Sequence, residues 1–184
     1  MNFKEIVKKV YWFLFKDDSI WSWLVNLVLA FIIVKFLIYP ALALILGTQL
    51  PLVAVISGSM EHDGMNFEEF WDEKGEWYET QGITKEMFRE YDFKNGFNKG
   101  DVIILYNPDD IEVGEVGVYA SDLHQYPIIH RVIKIDENGY IFKGDHNSDS
   151  DPYVIQNEQL IGKALFKVPM IGWIKIWFAE LVGI

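Results

Sequence analysis

The sequence contains no cysteine. Disulfide bonds, zinc sites built from thiolates and a cysteine nucleophile are therefore excluded. Histidine is also scarce, with four residues among 184, so chemistry that depends on imidazole has few candidates. No motif predicts a cofactor, and we expect none.

Positive charge is in short supply as well. The chain has 16 Lys and Arg against 27 Asp and Glu, which gives a net charge of −11. The phosphates of a nucleic acid would repel such a protein, so no nucleic-acid partner is expected. Hydrophobic residues make up 51% of the sequence, which is enough for a folded core and argues against extended disorder.

One long apolar run lies near the start of the chain. It reads IWSWLVNLVLAFIIV over residues 20–34 and continues after Lys35 as FLIYPALALIL. About 20 such residues cross the hydrocarbon layer of a bilayer as a helix. We therefore predict a transmembrane helix and its juxtamembrane segment within residues 19–47. The run exceeds the roughly 15 apolar residues of a signal peptide, so a retained span is favoured over a cleaved one.

Charge on the two sides of this run predicts its orientation. Lysines precede the run and an acidic chain follows it, which places residues 1–18 in the cytoplasm. The protein is then a single-pass protein of the cell membrane. Its partner is the lipid bilayer, and a domain at residues 48–169 lies outside the cytoplasm.

Short segments rich in Val and Ile follow, separated by turn residues. Outside residues 64–93, no segment with the hydrophobic periodicity of a helix separates them. Their spacing therefore predicts a mainly β fold with an antiparallel, partly closed β-domain. The predicted strands are residues 51–56, 100–106, 114–120, 127–136, 139–145 and 161–168.

An aromatic segment at residues 64–93 interrupts these strands. Asn66 and Glu69 have the spacing of a capping box, and Thr84 is placed to begin a second short helix. Two interpretations stay open: a helical subdomain that packs on itself and on the sheet, or a lid that borders a substrate groove.

The last segment, residues 170–184, is apolar but short for a membrane span. We predict a helix that lies at the bilayer surface.

A Ser-Gly-Ser-Met tetrapeptide, Ser57 to Met60, ends the first predicted strand. A serine hydroxyl becomes a nucleophile only when a base removes its proton, and histidine can do so at neutral pH. The four histidines are His62, His124, His130 and His146. His130 lies within an apolar strand, where a structural role is common, although a strand would hold a base rigidly.

An acidic run, GDHNSDSDP, follows the histidine-bearing strand. Asp145, Asp149 or Asp151 could orient an imidazole. A solvated turn or a weak calcium loop is the alternative, but the run lacks the distant glutamate of an EF-hand, so we predict no metal site. The Ser59 backbone N–H and the Ser57 hydroxyl are candidates to stabilise an oxyanion.

The order of these motifs resembles the type I signal peptidases. After the membrane span come, in order, SGSME, GDVI, IHRVIK, KGDHN with an aspartate at 151, GK and PMIG. More narrowly, the sequence resembles the archaeal enzymes and the eukaryotic catalytic subunit, in which His replaces the general-base Lys of bacterial relatives. The resemblance covers residues 20–60 and 97–173.

The resemblance implies a role for each matching residue. Ser59 matches the nucleophile, His130 the base, Asp151 the orienting acid and Asp145 the supporting aspartate, while Ser57 matches an oxyanion serine best known in bacterial members. Two departures are visible: His62 stands where the family usually has proline, and residues 64–93 are inserted. Neither departure falls on a proposed catalytic residue.

The function that this resemblance implies is that of a membrane-bound serine endopeptidase. It would remove N-terminal signal peptides from secretory precursors after small residues, at Ala-x-Ala-like sites, through an acyl-enzyme intermediate. Accessory membrane subunits are further candidate partners. Ile56 and Ile128 are candidates for lining the substrate pocket, with core packing as their alternative role.

Two alternatives remain from the sequence. One is a non-catalytic single-pass protein that binds a partner at the membrane. The other is a Ser-Lys processing peptidase, for which Lys134 is the nearby lysine.

Overall fold

A computed structural model describes residues 2–107 and 111–182 of the chain. The chain divides into two compact units, Met1–Ile45 and Leu46–Ile184. The first unit is helical and the second contains a β-sheet. The helices of the first unit are α1 (Phe3–Phe15), α2 (Ile20–Ile33), a π-helix (Val34–Ile38) and the start of α3 (Tyr39–Leu46).

The helix α1 is absent from the sequence-based expectations. The backbone N–H of Asn2 donates to the Glu5 side chain at 3.2 Å, which is the reciprocal bond of a capping box. Ser19 caps α2 through the N–H of Ser22. The Asn26 side chain in α2 donates to the carbonyl of Leu14 at 2.8 Å. Leu14 lies in the last turn of α1, where carbonyls have no hydrogen-bond partner within the helix.

The apolar helix is continuous from Ile20 to Leu46 despite Pro40. Proline lacks an N–H and crowds the carbonyl four residues earlier. The π-turn before Pro40 accommodates this, because the N–H of Tyr39 bonds the carbonyl of Val34, five residues back. Among the described residues this helix alone has the length and hydropathy to span a membrane.

One antiparallel sheet of six strands organises the second unit. The strand order is β1-β2-β6-β3-β4-β5, so β1 and β5 form the edges of an open sheet. The predicted antiparallel fold is confirmed, and helix accounts for 40% of the chain. The strands are β1 (Leu52–Ala54), β2 (Val102–Tyr106), β3 (Val116–Tyr119), β4 (Ile128–Asp136), β5 (Gly139–Lys143) and β6 (Leu160–Val168).

The segment 64–93 folds as two helices, α4 (Phe67–Thr80) and α5 (Lys85–Glu90). Both predicted caps are confirmed: Asn66 forms a capping box with Glu69, and Thr84 accepts the N–H of Met87. The aromatic residues of these helices form a buried cluster that includes Ile133 of β4. This buried cluster supports the packing interpretation of the segment. None of its residues lines the cavity described below.

The segment after β6 contains α6 (Trp173–Val182). Ile176 of this helix is buried, whereas Ile174, Trp177 and Phe178 are exposed. A helix with one face on the protein and apolar side chains exposed on the other fits the predicted interfacial segment. The last two residues of the predicted range, 183–184, lie outside the described residues.

Candidate active site

A cavity of about 490 Å³ brings together residues from distant parts of the second unit. Four of the predicted site residues line it, namely Ser57, Ser59, His130 and Asp151. The two candidate pocket residues, Ile56 and Ile128, line it as well. Of the predicted set, Asp145 is not among its lining residues.

The turn that carries Ser59 is anchored on both sides. Before it, Val55 continues the pairing of β1, because its N–H bonds the carbonyl of Asp101 and its carbonyl accepts the N–H of Gly100. After it, Met60 is fully buried in the core. The hydroxyls of Ser57 and Ser59 lie 3.2 Å apart, within hydrogen-bonding distance. The anchors therefore hold both hydroxyls at the edge of the cavity.

His130 projects from β4, where it is 6% exposed. Its Nδ1 lies 2.7 Å from Asp151 Oδ2. An ionised carboxylate accepts hydrogen bonds, so this contact fixes the tautomer that carries the proton on Nδ1. The free lone pair is then on Nε2, as a general base requires.

Asp151 has a second donor that the sequence analysis missed. The hydroxyl of Tyr119, at the end of β3, donates to the same Oδ2 at 2.7 Å. Burial, followed by the hydrogen bond to Asp151, raises the pKa of Tyr119 far above its ordinary value, so the phenol remains a donor. Nothing in the spacing of the motifs indicates this tyrosine, because only the antiparallel pairing of β3 with β4 brings it beside His130.

Gly144 packs between the two candidate catalytic groups. A Cβ at this position would meet the backbone oxygen of Ser59 at 2.6 Å and Nε2 of His130 at 2.8 Å. Any side chain would therefore displace one of them. The Ser59 hydroxyl lies within hydrogen-bonding distance of the Ser57 hydroxyl. Among the described residues, no hydrogen bond joins it to His130.

Asp145 lies in a different environment from Asp151. It is fully buried and accepts hydrogen bonds from Arg131, His62 and Tyr78. Burial by itself would raise the pKa of Asp145, but the charge of Arg131 and the hydrogen bonds from His62 and Arg131 hold it well below its ordinary value. Asp151 contacts the His130 ring and Asp145 contacts Arg131.

The two departures from the family pattern meet at this buried carboxylate. His62, which stands where the family usually has proline, forms a hydrogen bond with Asp145. Tyr78, which belongs to the inserted segment, forms another. The departures fall on none of the proposed catalytic residues in the sequence, but in the fold both of them contact Asp145. The sequence offered no signal for this, because the contacts join residues more than 60 positions apart.

The other two histidines are peripheral. His124 is an exposed loop residue that lines the cavity. His146 is 45% exposed and faces Asp63 at 3.3 Å. Within residues 2–107 and 111–182, no group of three or more His, Asp or Glu side chains could hold a metal ion.

Comparison with known proteins places this geometry in context. No protein family model matches the chain. The chain is 26% identical over 160 residues to the signal peptidase complex catalytic subunit SEC11 of Lachancea thermotolerans. The aligned region covers 79% of this chain and 76% of the relative. The chain is a homologue of signal peptidase catalytic subunits. The resemblance read from the sequence is confirmed, and with it the prediction of a peptidase.

Relatives of the same name occur in distant organisms. The subunit of Plasmodium falciparum is 26% identical over 165 residues, which is 83% of this chain and 72% of the relative. That of Saccharomyces cerevisiae strain YJM789 is 25% identical over 159 residues, which is 79% of this chain and 75% of the relative. Together with the helix Ile20–Leu46, these relatives support a membrane-anchored protein.

Proposed function

We propose that this protein is a membrane-bound serine endopeptidase that removes N-terminal signal peptides from secretory precursors after small residues. One observation carries the proposal. Ser57, Ser59 and the hydrogen-bonded pair of His130 and Asp151 line a single cavity, in a chain whose relatives are named signal peptidase complex catalytic subunits.

The edge strand β1 is the natural place for a substrate to bind. Among residues 2–107 and 111–182 it pairs with β2 alone, so no described strand covers its other edge. Residues 53–56 on this side line the cavity, and residues 123–129 line it too. An extended cleavage segment would add to the β1 edge through backbone hydrogen bonds.

The cavity lining suits a small side chain beside the scissile bond. Ile56 is partly exposed there, and Ile128 packs against the core cluster below. In the proposal, these two branched side chains bound a shallow apolar pocket at the wall of the cavity. Such a pocket would admit alanine and exclude large residues through overpacking.

The proposed reaction begins when the Ser59 side chain turns from Ser57 toward His130. Its Oγ attacks the scissile carbonyl carbon as its proton passes to Nε2 of His130. Asp151 stabilises the imidazolium that forms. The Ser59 N–H and the Ser57 hydroxyl would donate to the oxyanion.

The intermediate then collapses to an ester. His130 returns its proton to the leaving amine, the peptide bond breaks and the acyl group stays on Ser59. Water, activated by His130, next hydrolyses the ester and regenerates the serine hydroxyl.

Membrane attachment would help this chemistry. In the proposal, Ile20–Leu46 spans the cell membrane with residues 1–18 in the cytoplasm, and α6 lies at the bilayer surface. Precursors held in the same bilayer meet the enzyme at a high effective concentration, so the pocket need not bind tightly. Accessory membrane subunits are proposed as further partners, because the relatives are subunits of a complex.

A cleavage assay in detergent tests the proposal. A precursor with an Ala-x-Ala site should be cut by the wild type but not by Ser59→Ala or His130→Ala, and a precursor with leucine at both small positions should resist. Full cleavage by either variant would refute the proposed roles. Lys134→Ala is the matched control, because Lys134 is 61% exposed beside Asp136 and does not line the cavity. Loss of activity in Lys134→Ala alone would instead favour the Ser-Lys alternative.

A further inference from the structure

We propose that His62 and Tyr78 are positioning residues. Through them, the inserted helices hold the loop of residues 144–146 against Ser59 and His130. The inference rests on the proposed function for its kinetic consequences, although its structural part can be tested separately. It gives a single explanation for the two departures from the family pattern.

Asp145 is the point where these groups converge. Its Oδ1 accepts from Tyr78 at 3.0 Å and from Arg131 Nε at 2.9 Å. Its Oδ2 accepts from His62 Nε2 at 3.0 Å and from Arg131 Nη2 at 2.7 Å. Both oxygens of a carboxylate without solvent exposure are thus saturated. Loss of one donor would leave a buried lone pair unpaired, which is costly.

The backbone on both sides of Asp145 contacts the candidate catalytic groups. On one side, the N–H of His146 donates to the carbonyl of Ser59 at 2.9 Å. On the other, Gly144 packs against both that carbonyl and Nε2 of His130. The N–H of Asp145 itself faces the sulfur of buried Met60 at 3.4 Å. The position of the carboxylate therefore fixes the loop against Ser59 and His130.

The strand β4 separates the two aspartates. Successive side chains of a strand point to opposite faces, so His130 faces Asp151 in the cavity while Arg131 faces Asp145 behind it. Arg131 also donates to the carbonyls of Asp92 and Phe93. The guanidinium thus links the end of the inserted segment to Asp145.

The helix α4 positions both additional donors. Its Phe70 stacks on the His62 ring with centroids 3.6 Å apart and planes within 3°. His62 Nδ1 is buried and has no hydrogen-bond partner among the described residues. This is consistent with the tautomer that donates from Nε2, because an unpaired buried N–H would cost more than an unpaired lone pair. Tyr78, on the same helix, is fully buried against Phe88.

Steady-state kinetics and hydrogen exchange on the full-length protein in detergent test the inference. Tyr78→Phe removes only the oxygen that bonds Asp145, and His62→Leu removes a donor. We expect each to lower kcat by about tenfold with KM within about twofold. His62→Gln, whose amide can still donate to Asp145, should restore most of the loss. The His146 amide should exchange faster in Tyr78→Phe and His62→Leu.

Ile83→Ala is the matched control. Ile83 belongs to the same buried cluster, so its truncation should lower Tm without changing kcat per folded molecule. Unchanged kcat and unchanged His146 exchange in Tyr78→Phe would overturn the inference, even if His62→Leu fails to fold. If the wild type cleaves no precursor, the proposed function fails, and the exchange of His146 still decides whether the two donors hold the loop.

Discussion

Two aspartates six positions apart illustrate how neighbouring residues acquire different roles. Asp151 shares one oxygen between His130 and Tyr119 at the cavity. Asp145 is enclosed behind the sheet by Arg131 and the inserted helix. Both belong to the same acidic run, residues 144–152, and the face of β4 that each one meets makes the difference.

Replacing Asp151 tests its role at the level of one atom. Asp151→Asn keeps the shape of the side chain but offers an amide to His130, which favours the wrong tautomer. We predict a fall in kcat of about 10³- to 10⁴-fold with little change in Tm. Asp149→Asn is the control in the same acidic run and should cleave normally. A kcat of Asp151→Asn within tenfold of the wild type would contradict this role.

Lys143 provides a prediction about pH. It is buried between the rings of Trp77 and Tyr78, and burial lowers the pKa of Lys143 to about 8. The unfolded chain, with an ordinary lysine pKa near ~10.4, binds more protons between these values. The contribution of Lys143 to the free energy of unfolding therefore rises as pH increases through this window and is smallest below it.

Lys143→Met removes this titration while keeping an apolar stem against both rings. We predict that the Tm of the variant relative to the wild type, measured in detergent, is highest near pH 7 and declines toward pH 10. Lys134→Met, which replaces an exposed lysine, should give a curve parallel to the wild type. A parallel curve for Lys143→Met as well would show that Lys143 keeps an ordinary pKa.

At the scale of elements, α1 is the helix without an assigned role. Its apolar residues Phe3, Val7, Val10 and Leu14 follow a three-to-four spacing, and Lys4 and Lys8 lie outside that stripe. A helix with such a division lies at a bilayer surface, with lysines toward anionic headgroups.

The absence of cysteine makes this placement measurable. A spin label on Val7→Cys is the sole thiol label in the chain, and Lys8→Cys is its neighbour on the other face. In vesicles that contain anionic lipid, we predict that the label at 7 is accessible to oxygen and the label at 8 to a water-soluble nickel complex. Equal access of the nickel complex to both would place α1 in water.

The sequence predicted the elements well where local rules decide them. The β-strands follow from Val- and Ile-rich runs between turn residues, and α4 and α5 from the caps at Asn66 and Thr84. It missed α1, because the lysines there served only to predict the orientation of the span. Pro40 lies inside the apolar helix, where the preceding π-turn accommodates it.

Long-range contacts in the site were less accessible from sequence. The positions of Ser59, His130 and Asp151 followed from the order of the motifs. Tyr119, His62 and Tyr78 could not be found in this way, because strand pairing and helix packing bring them to the two carboxylates. A local pattern does not encode such contacts.

At the scale of the whole molecule, an apolar helix is followed by a sheet domain whose edge strand leads directly into the Ser59 turn. The covalent order thus joins the apolar helix, the edge strand and Ser59 within about 40 residues. In the proposed function these three parts provide membrane attachment, substrate alignment and the nucleophile.

The most direct test of the central claim, that Ser59 is the nucleophile, uses Ser59→Cys as the only thiol in the chain. Intact mass and cleavage of an Ala-x-Ala precursor are followed together during alkylation. We predict that the variant retains some cleavage, that this activity falls in proportion to a single adduct, and that the same reagent leaves the wild type unaffected. Cleavage at an unchanged rate by fully alkylated Ser59→Cys would contradict the account.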